Sequence, residues 1–289
     1  MKRQFIYSVL LLLTFCTIAS AQQEIPLYKN GAGENNGITE KETKDKNGFV
    51  INIAEARMYA YLAPKKNISN AAVLICPGGG YWGISAEKEG SEFAVWLNKL
   101  GVSAFILYYR MPNKHFEIPL KDAQTALQII RKGAKEWNID KHKIGIAGFS
   151  AGGHLASTVG TQYTSKNKPD FMVLLYPVIS MKEGLTHNGS RKNLLGDNPS
   201  EELVNRFSNE LHVTKNTAPT FIVVATDDNT VPAENSQLFY KKLQENKVST
   251  RLFTFEKGGH GFGLRKSGLK VDNWPELLKA WFTTNNLTE

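Results

Sequence analysis

The hydrophobic and polar positions of this 289-residue chain follow two alternating patterns. Short apolar or alternating runs bounded by Gly, Pro and Asp predict β-strands at 57–64, 71–80, 102–109, 143–149, 171–177, 219–226 and 251–259. Apolar residues at helical spacing predict amphipathic helices at 87–100, 120–137, 151–158, 234–244 and 275–283. Because buried strands alternate with helices, we predict an α/β fold whose mostly parallel sheet is covered by helices on both faces.

One segment interrupts this alternation. Residues 180–217 are polar, contain the stretch GDNPSEEL and lie between two predicted strands. We expect this segment to form a small, mostly helical insertion, because its length does not suit a second domain. Residues 47–289 are therefore predicted to form a single domain.

The first residues have the composition of a secretory signal peptide. Lys2 and Arg3 precede an apolar run over 9–15, and Ala-Ser-Ala at 19–21 is a small-residue cleavage site. We expect cleavage after residue 21, a polar N-terminal arm over 22–46 and a periplasmic or secreted protein. Phe15 stands before Cys16 where a lipoprotein signal has a small residue, so ordinary cleavage is preferred to lipidation.

Charge and residue spacing exclude several classes of function. The net charge is +8, but the basic residues are scattered and not interleaved with aromatic residues, which disfavours nucleic-acid binding. No later run is apolar and long enough for membrane insertion. The histidines lack metal-ligand spacing, so no metal or organic cofactor is expected. His154 is interpreted as a packed histidine and Asp122 as a surface or helix-start charge, and nothing indicates the oligomeric state.

A serine stands between the predicted strand over 143–149 and the helix that follows it. Gly148-Phe149-Ser150-Ala151-Gly152 matches the G-x-S-x-G nucleophile elbow, in which a strained serine projects its hydroxyl above the sheet. The glycines two residues before and after the serine are needed for the strand and helix to approach each other. Ser150 is therefore the candidate nucleophile.

A serine nucleophile requires a base and an orienting carboxylate, and both follow later in the chain. His260 stands in the glycine-flanked loop after the strand that begins at 251, and Asp227 and Asp228 end the strand over 219–226. Asp228 has the spacing to the following Val-Pro that is usual for the acid, so it is predicted to orient His260. Asp227 is interpreted as a loop-stabilising residue, with helix capping as the alternative.

The glycine stretch CPGGGYW at 76–82 supplies candidate oxyanion donors. Glycine lets backbone amides approach a substrate closely, so the amides of Gly79 and Gly80, together with that of Ala151, are predicted to form the oxyanion hole. A tight turn is the structural alternative. Tyr81 and Trp82 are expected either to pack under the elbow or to line an acyl or sugar pocket, and we assign them to substrate binding.

Five motifs in this order resemble the secreted bacterial α/β-hydrolases of the acetyl xylan and feruloyl esterase-like group: CPGGGYWGIS, KDAQTALQIIR, NIDKHKIGIAGFSAGGHLA, VVATDDNTVPAENS and KGGHGFGL. The resemblance covers roughly residues 45–285. It implies an α/β-hydrolase fold, Ser150 as nucleophile, His260 as base and Asp228 as its partner. Pro77 departs from the histidine that begins this loop in many esterases.

The function implied is a serine esterase that removes acetyl, and secondarily feruloyl, groups from plant cell-wall carbohydrate such as xylan. Its partner would be an acylated carbohydrate or another small ester. One alternative is an exopeptidase similar to prolyl oligopeptidases, which usually carry a large domain before the catalytic one. The other is a non-catalytic carbohydrate-binding protein on a hydrolase scaffold, although such proteins generally lack a triad member.

Overall fold

The computed structural model describes residues 23–29, 31 and 34–288. The predicted signal peptide and its cleavage site lie outside the described residues. The strands are β1 (Gln23–Pro26), β2 (Thr43–Lys44), β3 (Phe49–Ile51), β4 (Arg57–Tyr61), β5 (Ala72–Cys76), β6 (Gly83–Ser85), β7 (Ser103–Tyr108), β8 (Ile144–Phe149), β9 (Met172–Leu175), β10 (Thr220–Ala225) and β11 (Thr250–Phe255). The α-helices are α1 (Glu92–Lys99), α2 (Ile118–Gly133), α3 (Ser150–Thr161), α4 (Asn188–Leu195), α5 (Glu201–Arg206), α6 (Glu234–Glu245) and α7 (Trp274–Thr284).

Within the described part of the chain, eight strands form one sheet in the order β1-β4-β7-β5-β8-β9-β10-β11. The strands from β7 to β11 run parallel, whereas β1 and β4 pair antiparallel at one edge. A second sheet contains β2, β3 and β6. The predicted α/β-hydrolase fold with a mostly parallel sheet is confirmed.

Alternate residues of each central strand enter two different hydrophobic cores, as the two-residue period of a strand requires. In β5, Leu74 packs in a core with α2, α3 and α6, whereas Val73 and Ile75 pack in a core with α1 and α7. Helices therefore cover both faces, which explains why the central strands are continuously apolar.

Two segments differ in detail from the sequence-based expectation. Part of the predicted arm, Gln23–Pro26, forms an edge strand. The helix expected over 87–100 consists of a π-helix, Ala86–Ser91, followed by α1. The segment over 180–217 contains α4, α5 and a short 3₁₀ turn, so the predicted helical insertion is confirmed.

The expectation of a surface charge at Asp122 is wrong. Asp122 is completely buried and accepts hydrogen bonds from the guanidinium and backbone amide of Arg110 and from the hydroxyl of Tyr28. The guanidinium also donates to the carbonyl of Glu34. This buried ion pair therefore fastens the N-terminal arm to the sheet.

Candidate active site

Ser150 lies at the turn between β8 and α3 in a left-handed conformation, with φ of +52°. A side chain at Gly148 would lie 2.2 Å from the carbonyl oxygen of Gly152, and one at Gly152 would lie 2.0 Å from that of Cys76. Real side-chain carbons never approach a carbonyl so closely, so both positions require glycine. The elbow thus has the strained geometry that the G-x-S-x-G motif predicts.

The three predicted triad side chains form one hydrogen-bonded series. The Nε2 atom of His260 lies 2.8 Å from Oγ of Ser150, and its Nδ1 atom lies 2.7 Å from Oδ2 of Asp228. Ser150 is 7% exposed and the side chain of Asp228 is completely buried. This order lets imidazole take a proton from the serine while the carboxylate fixes the ring and stabilises the imidazolium.

The two adjacent aspartates have separate roles in the structure. Asp228 contacts His260 and also accepts the amides of Thr230 and Val231 through Oδ1. Burial alone would raise the pKa of Asp228, but the hydrogen bonds from His260 and these amides hold that pKa below its ordinary value. Asp227 accepts the amide of Gly259 at 2.8 Å and so joins its loop to the histidine loop.

The glycine loop after β5 passes directly beside the nucleophile. A side-chain carbon at Gly78 would lie 2.9 Å from Cβ of Ser150, and one at Gly79 would lie 2.2 Å from the carbonyl oxygen of Gly83. Gly79 and Gly80 both have positive φ, of +146° and +64°. Ala151 is the second residue of α3, whose first-turn amides have no acceptor inside the helix. Gly79 and Gly80 therefore follow directly after the residue that lies beside Ser150. The role of Gly79, Gly80 and Ala151 as oxyanion donors stays a prediction.

Sequence reasoning missed Glu89, which lies beneath this loop. Its Oε2 atom accepts the amide of Gly78 at 2.7 Å, and its Oε1 atom accepts the hydroxyl of Tyr176 at 3.0 Å. The Tyr176 ring in turn packs edge-on against that of His260, with centroids 4.9 Å apart. Burial raises the pKa of Glu89 despite these hydrogen bonds. Glu89 belongs to the π-helix Ala86–Ser91, and such turns are frequent at functional sites.

Tyr81 and Trp82 have different environments although they are adjacent. Tyr81 is 3% exposed, and its hydroxyl lies 2.7 Å from Nδ1 of His154, whose Nε2 atom lies 2.8 Å from the carbonyl oxygen of Phe207. Tyr81 therefore packs under the loop with its hydroxyl occupied inside the protein, but it also borders the same groove as Trp82, and its assignment to substrate binding stays a prediction. His154 is a packed histidine, as expected. Trp82 is 61% exposed and lines a groove of about 590 Å³ with Ile38.

The insertion contributes two further residues that sequence reasoning did not assign to the site. The side-chain amide of Asn193 donates to the carbonyl of Gly80 at 2.8 Å. A side chain at Gly80 would lie 3.7 Å from Cε1 of His187, so this histidine borders the oxyanion loop. Both residues stand in a polar segment without motif spacing, and only the folded chain reveals their position.

Residues 23–29, 31 and 34–288 contain no cluster of three or more His, Cys, Asp or Glu side chains suited to a metal ion. No helix within the same residues has both the length and the apolarity needed to cross a bilayer.

A nucleophile at a strand-to-helix turn, with its base and acid on later loops at the same sheet edge, defines the serine hydrolases of the α/β-hydrolase class. The chain belongs to the BD-FAE family, which matches residues 58–243. The family assignment agrees with the resemblance to esterases inferred from the sequence motifs.

Two curated relatives and one solved structure are similar to the chain. An acetylxylan esterase of Xylanibacter ruminicola is 37% identical over 222 residues, which cover 74% of this chain and 46% of that protein. Endo-1,4-beta-xylanase B of Butyrivibrio fibrisolvens is 35% identical over 229 residues, which cover 74% of this chain and 35% of that protein. This chain therefore spans less than half the length of either relative. The crystal structure of an acetyl ester-xyloside bifunctional hydrolase from Caldicellulosiruptor lactoaceticus superposes with a TM-score of 0.81 at 37% identity, covering 92% of this chain and 97% of that chain.

Proposed function

We propose that this protein is a serine esterase that removes acyl groups, acetyl above all and feruloyl second, from plant cell-wall carbohydrate such as xylan. The observation that carries the proposal is the hydrogen-bonded series Ser150, His260 and Asp228 beside a loop that only glycine can form. Ester hydrolysis requires a nucleophile, a base and oxyanion donors, and this site contains all three kinds of group.

The reaction follows from the geometry. Oγ of Ser150 attacks the ester carbonyl carbon while Nε2 of His260 takes its proton, and the amides of Gly79, Gly80 and Ala151 receive the negative charge that develops on the carbonyl oxygen. Collapse of this intermediate breaks the bond to the sugar oxygen, which leaves as an alcohol with the proton held by His260. Water, deprotonated by the same imidazole, then attacks the acyl-enzyme and releases the carboxylic acid.

Two observations support carbohydrate as the alcohol part of the ester. The relatives named above carry the names acetylxylan esterase and endo-1,4-beta-xylanase, and the similar solved structure is described as an acetyl ester-xyloside hydrolase. In this chain, the exposed indole of Trp82 borders the groove next to the glycine loop. An exposed indole is suited to stack against the apolar face of a sugar ring.

The test is hydrolysis of acetylated and feruloylated xylan fragments, with the released acids quantified. Ser150→Ala should lower kcat on 4-nitrophenyl acetate and on the xylan fragments by at least about 10³-fold. Ser165→Ala, a serine change at an exposed position, is the matched control and should leave both rates unaltered. Undiminished turnover by Ser150→Ala would remove this serine from the mechanism.

Two further assays separate the esterase from the two alternative functions. Cleavage of a prolyl peptide substrate without release of acetate would favour an exopeptidase. Binding of xylo-oligosaccharides without labelling of Ser150 by a fluorophosphonate would favour a non-catalytic binding protein.

We further propose that residues 1–21 direct export and are removed, which would place the enzyme in the periplasm or outside the cell. The basic, apolar and small-residue regions of this segment support the proposal. N-terminal sequencing of protein recovered from cell fractions tests it, and the expected first residue is Gln22.

A further inference from the structure

A polar cavity of about 520 Å³ lies beside the triad, between the start of the insertion and the loop that carries Asp228. Its walls are rich in hydroxyl, amide and carboxylate groups, contributed among others by Asn188, Thr230, Glu234 and Gln237. The volume falls within the range of about 300–1,000 Å³ that small-molecule sites occupy. Asp228 also lines the cavity, and it is the lining residue that the triad mechanism uses.

His187 joins this cavity to the oxyanion loop. Its ring lines the cavity, and its Cε1 edge faces Gly80, where a side-chain carbon would lie only 3.7 Å away. The imidazole also lies within electrostatic range of His260 and Asp228, since burial and the charge of His260 lower the pKa of His187. His187 therefore stands where a molecule would leave the cavity and enter the catalytic centre.

The hydrogen bonds of His187 determine which ring nitrogen can donate. Nδ1 accepts the backbone amide of Ser190 at 3.2 Å and contacts the hydroxyl of the same residue at 2.9 Å, so this nitrogen carries no proton. A neutral imidazole then carries its proton on Nε2. None of the described residues accepts a hydrogen bond from that Nε2–H group, so this residue of the cavity wall has a donor available for a bound molecule.

We propose that this cavity is the subsite for the sugar that bears the ester, and that Nε2–H of His187 donates a hydrogen bond to a hydroxyl of that sugar. The inference rests on the proposed esterase function and adds to it where, and by which groups, the sugar part of the ester is bound. A pentose ring presents hydroxyl groups on its edges, and walls that supply donors and acceptors replace the water that these hydroxyls lose on binding. An apolar acyl chain would lose contact with water without gaining apolar contacts in such a cavity, so the acyl group lies elsewhere.

The variant that tests this role must keep the first turn of α4 intact. His187 is the N-cap of α4, and asparagine is a favourable N-cap that can accept the same Ser190 amide. His187→Asn therefore preserves the cap and removes the Nε2 donor. His142→Ala is the matched control, because His142 is exposed at the opposite end of β8 from Ser150.

The assay compares two esters of acetic acid. On acetylated xylo-oligosaccharide, His187→Asn should lower kcat/KM about threefold to tenfold, mainly through a higher KM, as expected for one lost hydrogen bond. 4-Nitrophenyl acetate has no sugar, so the loss on it should be smaller, and the ratio of kcat/KM on the sugar ester to kcat/KM on 4-nitrophenyl acetate should fall. A loss of the same size on both esters, or no loss on the sugar ester, would overturn the role of His187.

A binding measurement separates this inference from the esterase proposal. Xylotriose added to the Ser150→Ala protein should shift the imidazole NMR resonances of His187 and leave those of His142 unmoved. If these shifts occur but the wild-type enzyme releases no acetate from xylan fragments, the sugar site stands and the esterase function fails. If acetate is released and the His187 resonances do not move, the esterase function stands and the sugar site is wrong.

Discussion

Replacement of Glu89 by alanine tests how the oxyanion loop is held in place. The two carboxylate oxygens of Glu89 accept the Gly78 amide at 2.7 Å and the Tyr176 hydroxyl at 3.0 Å, and the residue is 5% exposed. Water has little access to this position. Glu89→Ala would therefore leave two buried donors without acceptors.

The magnitude follows from these two contacts. An unsatisfied buried donor costs about 1–3 kcal/mol, so the free energy of unfolding should fall by about 2–6 kcal/mol. The loop would also lose the contact that fixes Gly78, the residue directly before Gly79. Because oxyanion donors act only in the correct position, and because loss of one costs about 10²–10³-fold in rate, we expect kcat on 4-nitrophenyl acetate to fall by about 10²-fold.

Urea unfolding and steady-state kinetics measure the two effects. Glu87→Ala is the control, since Glu87 is two residues away in the same π-helix and its partly exposed carboxylate lies 3.8 Å from the guanidinium of Arg265. Its unfolding free energy should change by less than about 1 kcal/mol. If Glu89→Ala unfolds at the wild-type urea concentration and keeps the wild-type kcat, the carboxylate does not support the loop.

A second substitution isolates the charge of Glu89 from its shape. Burial raises the pKa of Glu89 above its ordinary value of 4.5, so the folded protein binds this proton more tightly than the unfolded chain does. The stability linked to that proton is present below pH 4.5 and is lost as pH rises through the raised pKa. Glu89→Gln cannot titrate, and its free energy of unfolding should show less of this loss between acid and neutral pH.

Three further predictions concern the elbow, the acid and the buried histidine. Asp228→Asn should lower kcat by about 10⁴-fold, because the amide favours the wrong tautomer of His260, whereas Asp227→Asn should stay within about tenfold of wild type in the same esterase assay. Gly152→Ala should fail to give folded protein on circular dichroism, because the added carbon would lie 2.0 Å from a carbonyl oxygen; a normal melting temperature would contradict this reasoning. Burial lowers the pKa of His154 from 6.5 to about 4, so this residue contributes stability above pH 6.5 that is lost as the pH falls towards 4. The loss in the free energy of unfolding is of the order of 3 kcal/mol for the wild type, and His154→Gln should abolish it when urea unfolding is measured as a function of pH.

The fold and the triad could be predicted because each has a local signature. Continuous apolar strands such as 144–149 can only be central in a sheet that is covered on both faces. The elbow requires glycine at two fixed positions, and the acid and base must follow later strands to reach the same sheet edge. Asp228 could be distinguished from Asp227 by its spacing of three residues to Val231 in the sequence. In the structure, Asp228 accepts the amide of Val231.

The supporting residues could not be predicted because their roles depend on contacts distant in sequence. Glu89 stands in a segment of helical periodicity, and its burial depends on the hydroxyl of Tyr176, 87 residues away, which no local pattern reveals. Asp122 was expected on the surface because its partner Arg110 precedes the helix and belongs to no motif. The burial of Tyr81 could not be predicted because it depends on His154, 73 residues later.

The insertion connects substrate recognition to catalytic geometry. Asn193 binds the carbonyl of Gly80, and the carbonyl of Phe207 accepts Nε2–H of His154, whose other nitrogen accepts the hydroxyl of Tyr81. Both contacts therefore fasten residues of the oxyanion loop, and His187 of the same insertion faces Gly80. A displacement of the insertion would move the walls of the polar cavity and the oxyanion loop together, because the same segment holds both. We therefore expect substitutions that displace this segment to alter kcat as well as KM. Loss of the His187 donor alone should act mainly on KM, because the side chain of His187 does not hold the oxyanion loop in place.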